Sequence, residues 1–321
     1  MLVQRTTVSL NNRYLLFAFI RIKLHSSLVV YIKAPYFTLL CQWQLVSRFK
    51  KGTEDYHRAG TPLAEGYFAI LWSIIGDLDY FVAILGLPNF SNASMPCALC
   101  RTSLTGSNTW SNFRPDAPWR LQQWTYSAWQ AWPNRCQNPL FTLPGVSAFS
   151  ICLDYMHSKY LRTDQYVFGS VLALLTCTGM MDKTPERNVT ALHRFFQDFY
   201  RRDNTPVRYR YLNRLTMFLR QSGRPKLRGK AAELRYFGKP LLAAWEKWMN
   251  CRISVHVDIQ LLLKMNVFME NLLSEFRDEI CFPPDQAVAF EEACSTMLTL
   301  HGKLAVHFAD QEYLGYKLKG Q

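Results

Sequence analysis

Short apolar runs separated by basic residues dominate the first part of the chain and predict β-strands. Each run has the length of a strand, and none reaches the roughly twenty uninterrupted apolar residues that a membrane helix needs. The breaks fall at basic residues such as Arg21 and Lys33. The pattern therefore predicts three short strands, at 14–20, 27–32 and 36–40. A basic, acid-poor organelle-targeting peptide and a mispredicted gene start are the alternatives for this region.

A fourth apolar run, 67–75, ends in Gly76-Asp77 and predicts a strand with a carboxylate at its end. A charged group at the rim of a buried sheet is costly unless it binds a cation or meets water. Asp77 is therefore a candidate catalytic acid. A simple turn that begins at Gly76-Asp77 is the alternative for the same residues.

Helical patterns take over after Pro144-Gly145. Asp164 is a candidate N-cap for a helix over 165–176, whose apolar residues occupy nearly every face and predict a buried helix. The pattern is helical again from Val255 to about Gln311, with an interruption at Pro283-Pro284. These two long helical segments predict a helical hairpin.

Tryptophan is concentrated between Thr109 and Pro133, in a stretch without clear periodicity. It holds five of the nine tryptophans: Trp110, Trp119, Trp124, Trp129 and Trp132. One interpretation is an irregular subdomain in which the indole rings replace a conventional core. The alternative is that an exposed tryptophan stacks on nucleic-acid bases.

The net charge of +13 on 321 residues comes from two segments rather than from the whole chain. The segments 1–53 and 204–232 each contain eight basic residues and no acid, and the remainder is close to −3. The nine cysteines are odd in number and irregularly spaced, and no secretory signal precedes them, which favours a reduced, intracellular protein.

The second of these segments contains a tract in which basic residues alternate with the aromatic residues Tyr209, Tyr211 and Phe218. Arginine pairs with phosphates, and aromatic rings stack on bases, so the tract predicts polyanion binding. A solvated basic helix face is the alternative. The candidate DNA-binding residues are Arg208, Arg210, Arg214, Arg220, Arg224, Lys226, Arg228 and Lys230.

Two short spacings suggest metal or acid–base chemistry. Cys97 and Cys100 have the spacing with which two thiolates chelate one zinc ion, and Cys136 or His157 are candidate further ligands. Two small buried cysteines are an equally good interpretation. Asp154 and His157 are three residues apart, so a helix would project both from one face. A structural hydrogen bond between them is the more common outcome.

Glu233 lies in a segment that begins at Lys230 and has a stripe of apolar residues at helical spacing, ending near Trp248. Pro240 lacks the amide that would bond back to Tyr236, so we expect the helix to bend one to two turns after the glutamate. An acid at the edge of a buried face is a candidate metal ligand. An exposed salt-bridge partner of a nearby cation is the alternative.

In combination, four motifs resemble the core of CACTA (En/Spm-like) DNA transposases, including transposase-like proteins of dinoflagellates. The motifs, in chain order, are Gly76-Asp77-Leu78-Asp79, Pro96-Cys97-Ala98-Leu99-Cys100-Arg101, Leu153-Asp154-Tyr155-Met156-His157 and Gly229-Lys230-Ala231-Ala232-Glu233-Leu234-Arg235. The similarity extends from about Gly60 to about Trp248. Each motif alone is unspecific, and the specificity lies in their order.

The resemblance implies an α/β protein with a truncated RNase H-like core, a Cys-containing insertion and a helical C-terminal region. It implies three segments: a basic apolar N-terminal segment over 1–58, the core over 59–250 with the insertion at 90–144, and the helical region over 251–321. In the family, three acids hold two Mg²⁺ or Mn²⁺ ions for cleavage and transfer of DNA strands. Asp77 matches the second acid and Glu233 the last. Cys97 and Cys100 match the family's Cys-x-x-Cys, and Asp154 and His157 match its Asp-x-x-His.

The first acid of the family has no match on an early strand, because residues 1–53 contain no Asp or Glu. We therefore expect a transposase-derived, nuclear DNA-binding protein, and more specifically a fragment or degenerate copy that does not cleave DNA. Asp55 and Asp154 are the residues to test as substitutes for the missing first acid. We expect DNA and other copies of the chain as partners, no small-molecule substrate and no transmembrane segment. The alternatives are a non-catalytic zinc- and nucleic-acid-binding protein and an unrelated basic helical scaffold.

Overall fold

The structure, a computed structural model, describes two compact units. It covers residues 4–10, 13–24, 27–32, 68–76, 78–89, 91–92, 94–114, 116–131, 138, 141, 146, 150–181, 184–221, 223–279 and 281–309. The first unit takes the described residues of Met1–Thr109 and Pro118–Asp154, and the second takes those of Trp110–Ala117 and Tyr155–Gln321. Among the described residues, no helix combines the length and the apolar character that a membrane span needs.

A five-stranded mixed sheet forms the frame of the first unit. Its strands lie in the order of the chain: β1 (Gln4–Leu10), β2 (Arg13–Leu24), β3 (Ser27–Ile32), β4 (Phe68–Gly76) and β5 (Ile151–Leu153). The first four strands pair antiparallel, whereas β4 and β5 pair parallel. The strands predicted at 14–20, 27–32 and 67–75 are confirmed. The strand predicted at 36–40 lies outside the described residues.

Tryptophan rings supply much of the core beside β4 and β5. Trp129 is fully buried and meets Phe141 edge-on at 5.2 Å between ring centroids, and Trp124 is also buried. Among the described residues between β4 and β5, the helices are short: α1 (Leu78–Ala83), α2 (Pro118–Leu121) and α3 (Tyr126–Ala131). For these two tryptophans, the core interpretation is confirmed and base stacking is excluded.

The second unit is helical. Its elements are a π-helix (Met156–Asp164), α4 (Gln165–Cys177), α5 (Pro185–Arg202), a 3-10 turn (Leu215–Met217), α6 (Ala231–Arg235), α7 (Gly238–Trp248), α8 (Ser254–Glu275) and α9 (Pro284–Ala309). Helix α4 is buried on nearly all faces, as predicted. Asp164 does not cap it, because the chain enters α4 directly from the π-helix and the Asp164 side chain makes no capping hydrogen bond.

Helices α8 and α9 pack against each other as the predicted hairpin, with Leu262 and Leu263 from α8 and Met297 and Leu304 from α9 in the common core. The bend predicted near Pro240 appears as a break between α6 and α7. Proline is tolerated in the first turn of α7, where an amide would have no helical partner.

The observed organisation agrees with the predicted fold class in its coarse features. A sheet in the first part of the chain and a helical C-terminal region are both present. The two units differ from the three predicted segments. Their boundary at Asp154–Tyr155 falls inside the predicted core of 59–250, and the strands before residue 58 belong to the same sheet as β4.

Candidate functional site

The basic segment, residues 208–230, is an extended loop held by the core rather than a helix. Among its described residues, only the turn at Leu215–Met217 is regular secondary structure. The chain doubles back on itself: the Lys226 amide donates to the Phe218 carbonyl at 2.8 Å, and the Arg228 amide donates to the Met217 carbonyl at 2.8 Å. Gly223 lies at the turn with φ +89, in the left-handed region that glycine enters without strain.

Helix α4 anchors this loop by close backbone contact. The Leu227 amide donates to the carbonyl of Gln165 at 2.8 Å. A Cβ added at Gly169 of α4 would lie 2.7 Å from the Leu227 nitrogen, so only glycine permits this approach. Four apolar residues of the segment also enter the core: Tyr209, Leu212, Phe218 and Leu227. The loop is therefore fixed along its length.

The cations of the basic segment point outward between these anchors. Arg208, Arg210, Arg214, Arg220, Arg228 and Lys230 are exposed, and Arg224 and Lys226 are half-buried. Arg208 donates to the carbonyl of Thr205 at 2.7 Å. Arg210, Arg214, Arg220 and Arg228 form no ion pair with any residue that the structure describes. No carboxylate among the described residues neutralises the charge of these four arginines.

The aromatic residues of the segment do not act as one group. Tyr209 and Phe218 are buried, so the prediction that they stack on bases is wrong. Both fill the core, where the Tyr209 ring meets Phe237 edge-on at 5.1 Å. Tyr211 is different, because 74% of it is exposed beside Arg210. It is the one aromatic ring of this segment that a base can reach.

Cys97 and Cys100 lie together in a loop of the first unit. Cys100 is buried and forms an isolated bridge with Gln123, and the Trp124 amide donates to the Leu99 carbonyl at 3.1 Å. A hydrogen bond from the Cys100 thiol, more than offsetting burial, lowers the pKa of Cys97 to about 6. The same hydrogen bond, followed by burial, raises the pKa of Cys100. The two thiols are therefore hydrogen-bonded to each other, and Cys97 Sγ also accepts from the Leu99 amide at 3.3 Å.

The described residues do not complete a metal site around this pair. Nowhere in the described part of the chain do three His, Cys, Asp or Glu side chains converge as a metal-binding group. Of the candidate further ligands, Cys136 lies outside the described residues and His157 belongs to the other unit. A closed zinc site needs four ligands, so the zinc site stays a prediction for which Cys97 and Cys100 are two candidate ligands.

Asp77 lies outside the described residues, but the residues around it are informative. Its predecessor Gly76 ends β4, and Asp154 directly follows the parallel neighbour β5. Gly76 and Leu153 are register partners, and the Asp154 amide donates to the Gly76 carbonyl at 3.0 Å. Asp154 is therefore at a strand end, not on a helix with His157 as predicted. His157 lies in the π-helix, which begins after Asp154.

Glu233 has a structural partner. Its Oε2 atom accepts a hydrogen bond from the Lys230 amide at 2.8 Å, at the start of α6. A capping carboxylate satisfies an amide that the helix leaves unpaired. Neither of the sequence-based alternatives, a metal ligand or an exposed ion-pair partner, describes this contact.

A buried charge network in the second unit has no counterpart in the sequence analysis. It consists of Lys159 and Asp164 from the π-helix and Glu270 from the middle of α8. The Lys159 Nζ lies 2.7 Å from Asp164 Oδ2 and 2.9 Å from Glu270 Oε1. At most 11% of each of these three side chains is exposed. Charges buried to this degree are retained only when they are paired and hydrogen-bonded.

Neutral donors complete the network. Tyr160 donates to Glu270 Oε2 at 2.8 Å, Tyr155 donates to Glu270 Oε1 at 3.3 Å, and Asn266 donates to Asp164 Oδ1 at 2.7 Å. Burial, reinforced by the Glu270 carboxylate, raises the pKa of both tyrosines, which therefore remain donors. Every carboxylate oxygen of the network has a partner. The network ties the π-helix to α8.

The ionisation of the network follows from its burial. Burial lowers the pKa of Lys159, but the carboxylates of Asp164 and Glu270 outweigh this effect and raise it overall, so the lysine is charged. Complete burial raises the pKa of Asp164 to about 6 despite the attraction of Lys159. Asp164 is thus mainly ionised at neutral pH and takes up a proton in mild acid.

One signal in the sequence points to this network. Glu270 is a lone acid between the buried residues Met269 and Leu272, where a charge is costly without a partner. The partner itself cannot be identified from the sequence, because Lys159 is more than a hundred residues away. A π-helix has no clear sequence signature, and the pattern around Asp164 predicts capping instead.

Comparison of the chain with protein-family models, with curated proteins and with solved structures finds no match. The functional conclusions below therefore rest on the residues and their geometry.

Proposed function

We propose that this chain is a transposase-derived protein that binds DNA in the nucleus through the basic segment and does not cleave it. The observation that carries the proposal is the group of exposed arginines that have no carboxylate partner among the described residues. Protein surfaces normally mix both signs of charge, whereas residues 204–232 contain no acid. An arginine guanidinium without an internal partner is suited to a phosphate oxygen.

The anchoring of the segment strengthens this proposal. A flexible basic tail must lose conformational entropy when it binds, whereas a loop fixed by Leu227 and Phe218 presents its charges in one arrangement. Tyr211 adds an exposed ring that can stack on a base of a single strand or a distorted duplex. Phosphate contacts without base contacts predict little sequence preference.

The edge of the sheet supports the transposase part of the proposal. Asp154 follows β5 and bonds to Gly76, the residue before Asp77, so two acids of the chain follow two paired parallel strands. Paired acids at a common sheet edge are what an RNase H-like metal site requires, and Asp154 is then a substitute for the unmatched acid. Glu233 bonds to the Lys230 amide at the start of α6, and residues 1–53 contain no Asp or Glu that could be the family's first acid. For these reasons we propose that the chain does not cleave DNA.

Fluorescence anisotropy with a labelled duplex of about 20 base pairs tests the proposal. The variant Arg210→Gln/Arg220→Gln/Arg228→Gln removes three exposed charges of the basic segment. The control Arg187→Gln/Arg194→Gln/Arg252→Gln removes three exposed arginines elsewhere in the same unit. We expect the first variant to bind at least tenfold more weakly at 100 mM salt and the control to bind within about threefold of the parent.

Equal binding by both variants would show that the basic segment is only a solvated surface. That result would favour the unrelated basic scaffold, the main rival of this proposal.

A further inference from the structure

A cavity of ≈ 340 Å³ opens beside the buried charge network. We call it the Glu270 cavity. The end of α5, the break between α6 and α7, and the C-terminal half of α8 form its walls. Pockets that hold small molecules begin at about 300 Å³, so the volume suffices for a ligand of sugar size. Its polar lining residues include Asp203, Thr205, Arg235, Lys239, Glu270 and Ser274, and Asn271 lies beside them.

The two carboxylates of this lining differ in how far their oxygens are already hydrogen-bonded. Glu270 receives hydrogen bonds from Lys159, Tyr155 and Tyr160, and its Oε2 atom lies 3.6 Å from Arg235 Nε. Asp203 Oδ2 accepts from the Thr205 hydroxyl at 3.1 Å. The buried carboxylate, Glu270, is therefore not available to a ligand that offers mainly donors, such as an amine.

The donors of the lining are in excess. Arg235 has five N–H groups, and its contacts are long: Nε lies 3.6 Å from Glu270 Oε2 and Nη2 lies 3.5 Å from Ser274 Oγ. Lys239 is exposed and has no carboxylate partner in the described part of the chain. Two cations with spare donors thus line one cavity whose buried carboxylate is already hydrogen-bonded, which favours an oxyanion.

The network behind the cavity holds the arginine in place. Glu270 is fixed from the buried side by Lys159 and Tyr160, and the Arg235 guanidinium lies over the Tyr236 ring at 5.5 Å. A guanidinium that is oriented in advance loses little entropy when it binds an anion, and its planar fork matches two oxygens of a phosphate. A third oxygen is then available to the Lys239 ammonium.

We propose that the Glu270 cavity binds the phosphate group of a small phosphorylated molecule, with Arg235 and Lys239 as the phosphate ligands. The rest of the cavity receives the neutral part of the molecule, next to the Asn271 amide and the Thr205 hydroxyl. This site is separate from the basic segment and does not rest on the proposed DNA binding. It departs from the expectation, drawn from the sequence, that small molecules are not bound.

Isothermal titration calorimetry on the full chain tests this site with ribose 5-phosphate, inorganic phosphate and unphosphorylated ribose. We expect saturable binding of ribose 5-phosphate, weaker binding of inorganic phosphate and no binding of ribose. Because a charged hydrogen bond contributes strongly, Arg235→Gln and Lys239→Gln should each weaken binding by about tenfold or more. Arg187→Gln, an exposed arginine of α5 outside the cavity, is the matched control.

The variants distinguish binding in the cavity from non-specific binding of anions to the basic surface. Lys239 is exposed, so its substitution leaves the fold intact and remains informative even when Arg235→Gln unfolds the protein. The variant Arg210→Gln/Arg220→Gln/Arg228→Gln should bind ribose 5-phosphate like the parent. The proposal is overturned if ribose 5-phosphate shows no saturable binding at 10 mM, or if ribose binds as tightly as ribose 5-phosphate. It is also overturned if Lys239→Gln binds ribose 5-phosphate as tightly as the parent, or if the basic-segment variant loses this binding.

Discussion

Removal of Lys159 should destabilise the helical unit far more than removal of an exposed lysine. The change Lys159→Met keeps most of the volume of the side chain and deletes its charge. It leaves the carboxylates of Asp164 and Glu270 buried without their common counter-charge, with side-chain exposures of only 1% and 11%. Breaking a buried ion pair by removing one partner costs about 3–5 kcal/mol of the free energy of unfolding.

The matched control is Lys264→Met on α8. The Lys264 Nζ lies 3.5 Å from Glu246 Oε1, and 48% and 41% of these two side chains are exposed. An exposed pair of this kind contributes about 0–1 kcal/mol. Urea unfolding followed by circular dichroism at 222 nm reports on the helical unit and measures both variants under the same conditions.

A third variant separates loss of charge balance from loss of packing. The combination Lys159→Met/Asp164→Asn/Glu270→Gln removes all three charges with little change of volume. It should recover much of the stability lost in Lys159→Met, because no unpaired charge remains buried. If Lys159→Met costs no more than Lys264→Met, or if the triple variant is less stable than the single one, charge balance in this network does not stabilise the unit.

Three further outcomes follow from the geometry. Asp164 has an ordinary pKa of 3.8 and a pKa of about 6 in the folded protein. The stability that its protonated form contributes is therefore fully present below pH 4 and is lost as the pH rises through 6. In urea titrations across this window, the difference in unfolding free energy between the parent and Asp164→Asn should change by about 3 kcal/mol. Purified protein should contain zinc that Cys97→Ser removes, and less than about a tenth of an equivalent by elemental analysis would refute the chelating pair. A labelled duplex incubated with the protein and Mg²⁺ or Mn²⁺ should not be nicked, and nicking that disappears in Asp77→Ala or Asp154→Ala would show that the acids at the sheet edge are active.

Local patterns in this sequence predict local structure well. The strand ending at Gly76, the buried helix after Asp164 and the hairpin around Pro283-Pro284 all follow from apolar spacing and from proline, which act within a few residues. The prediction that Asp164 caps this helix is wrong, because the preceding π-helix cannot be recognised from the sequence. The partner of Asp164, Asn266, lies on α8, about a hundred residues away.

Position along the chain does not separate core from surface within the basic segment. Tyr209 and Tyr211 are alike in sequence, yet the first is buried and the second is 74% exposed. The packing of the loop decides which ring faces the core: the Tyr209 carbonyl accepts from Gln197 of α5 at 2.8 Å, and the Tyr209 ring meets Phe237. The Glu270 cavity likewise depends on residues from three helices, and no linear motif connects them.

The salt dependence of DNA binding is the most direct test of the central claim that the basic segment contacts phosphates. Dissociation constants for the duplex are measured between 50 and 300 mM salt. The slope of log Kd against log salt concentration rises by about 0.9 for each phosphate that the protein neutralises, so it reports the number of phosphate contacts. We predict a steep slope for the parent and a slope lower by about 2–3 for Arg210→Gln/Arg220→Gln/Arg228→Gln. An unchanged slope in this variant would contradict the claim.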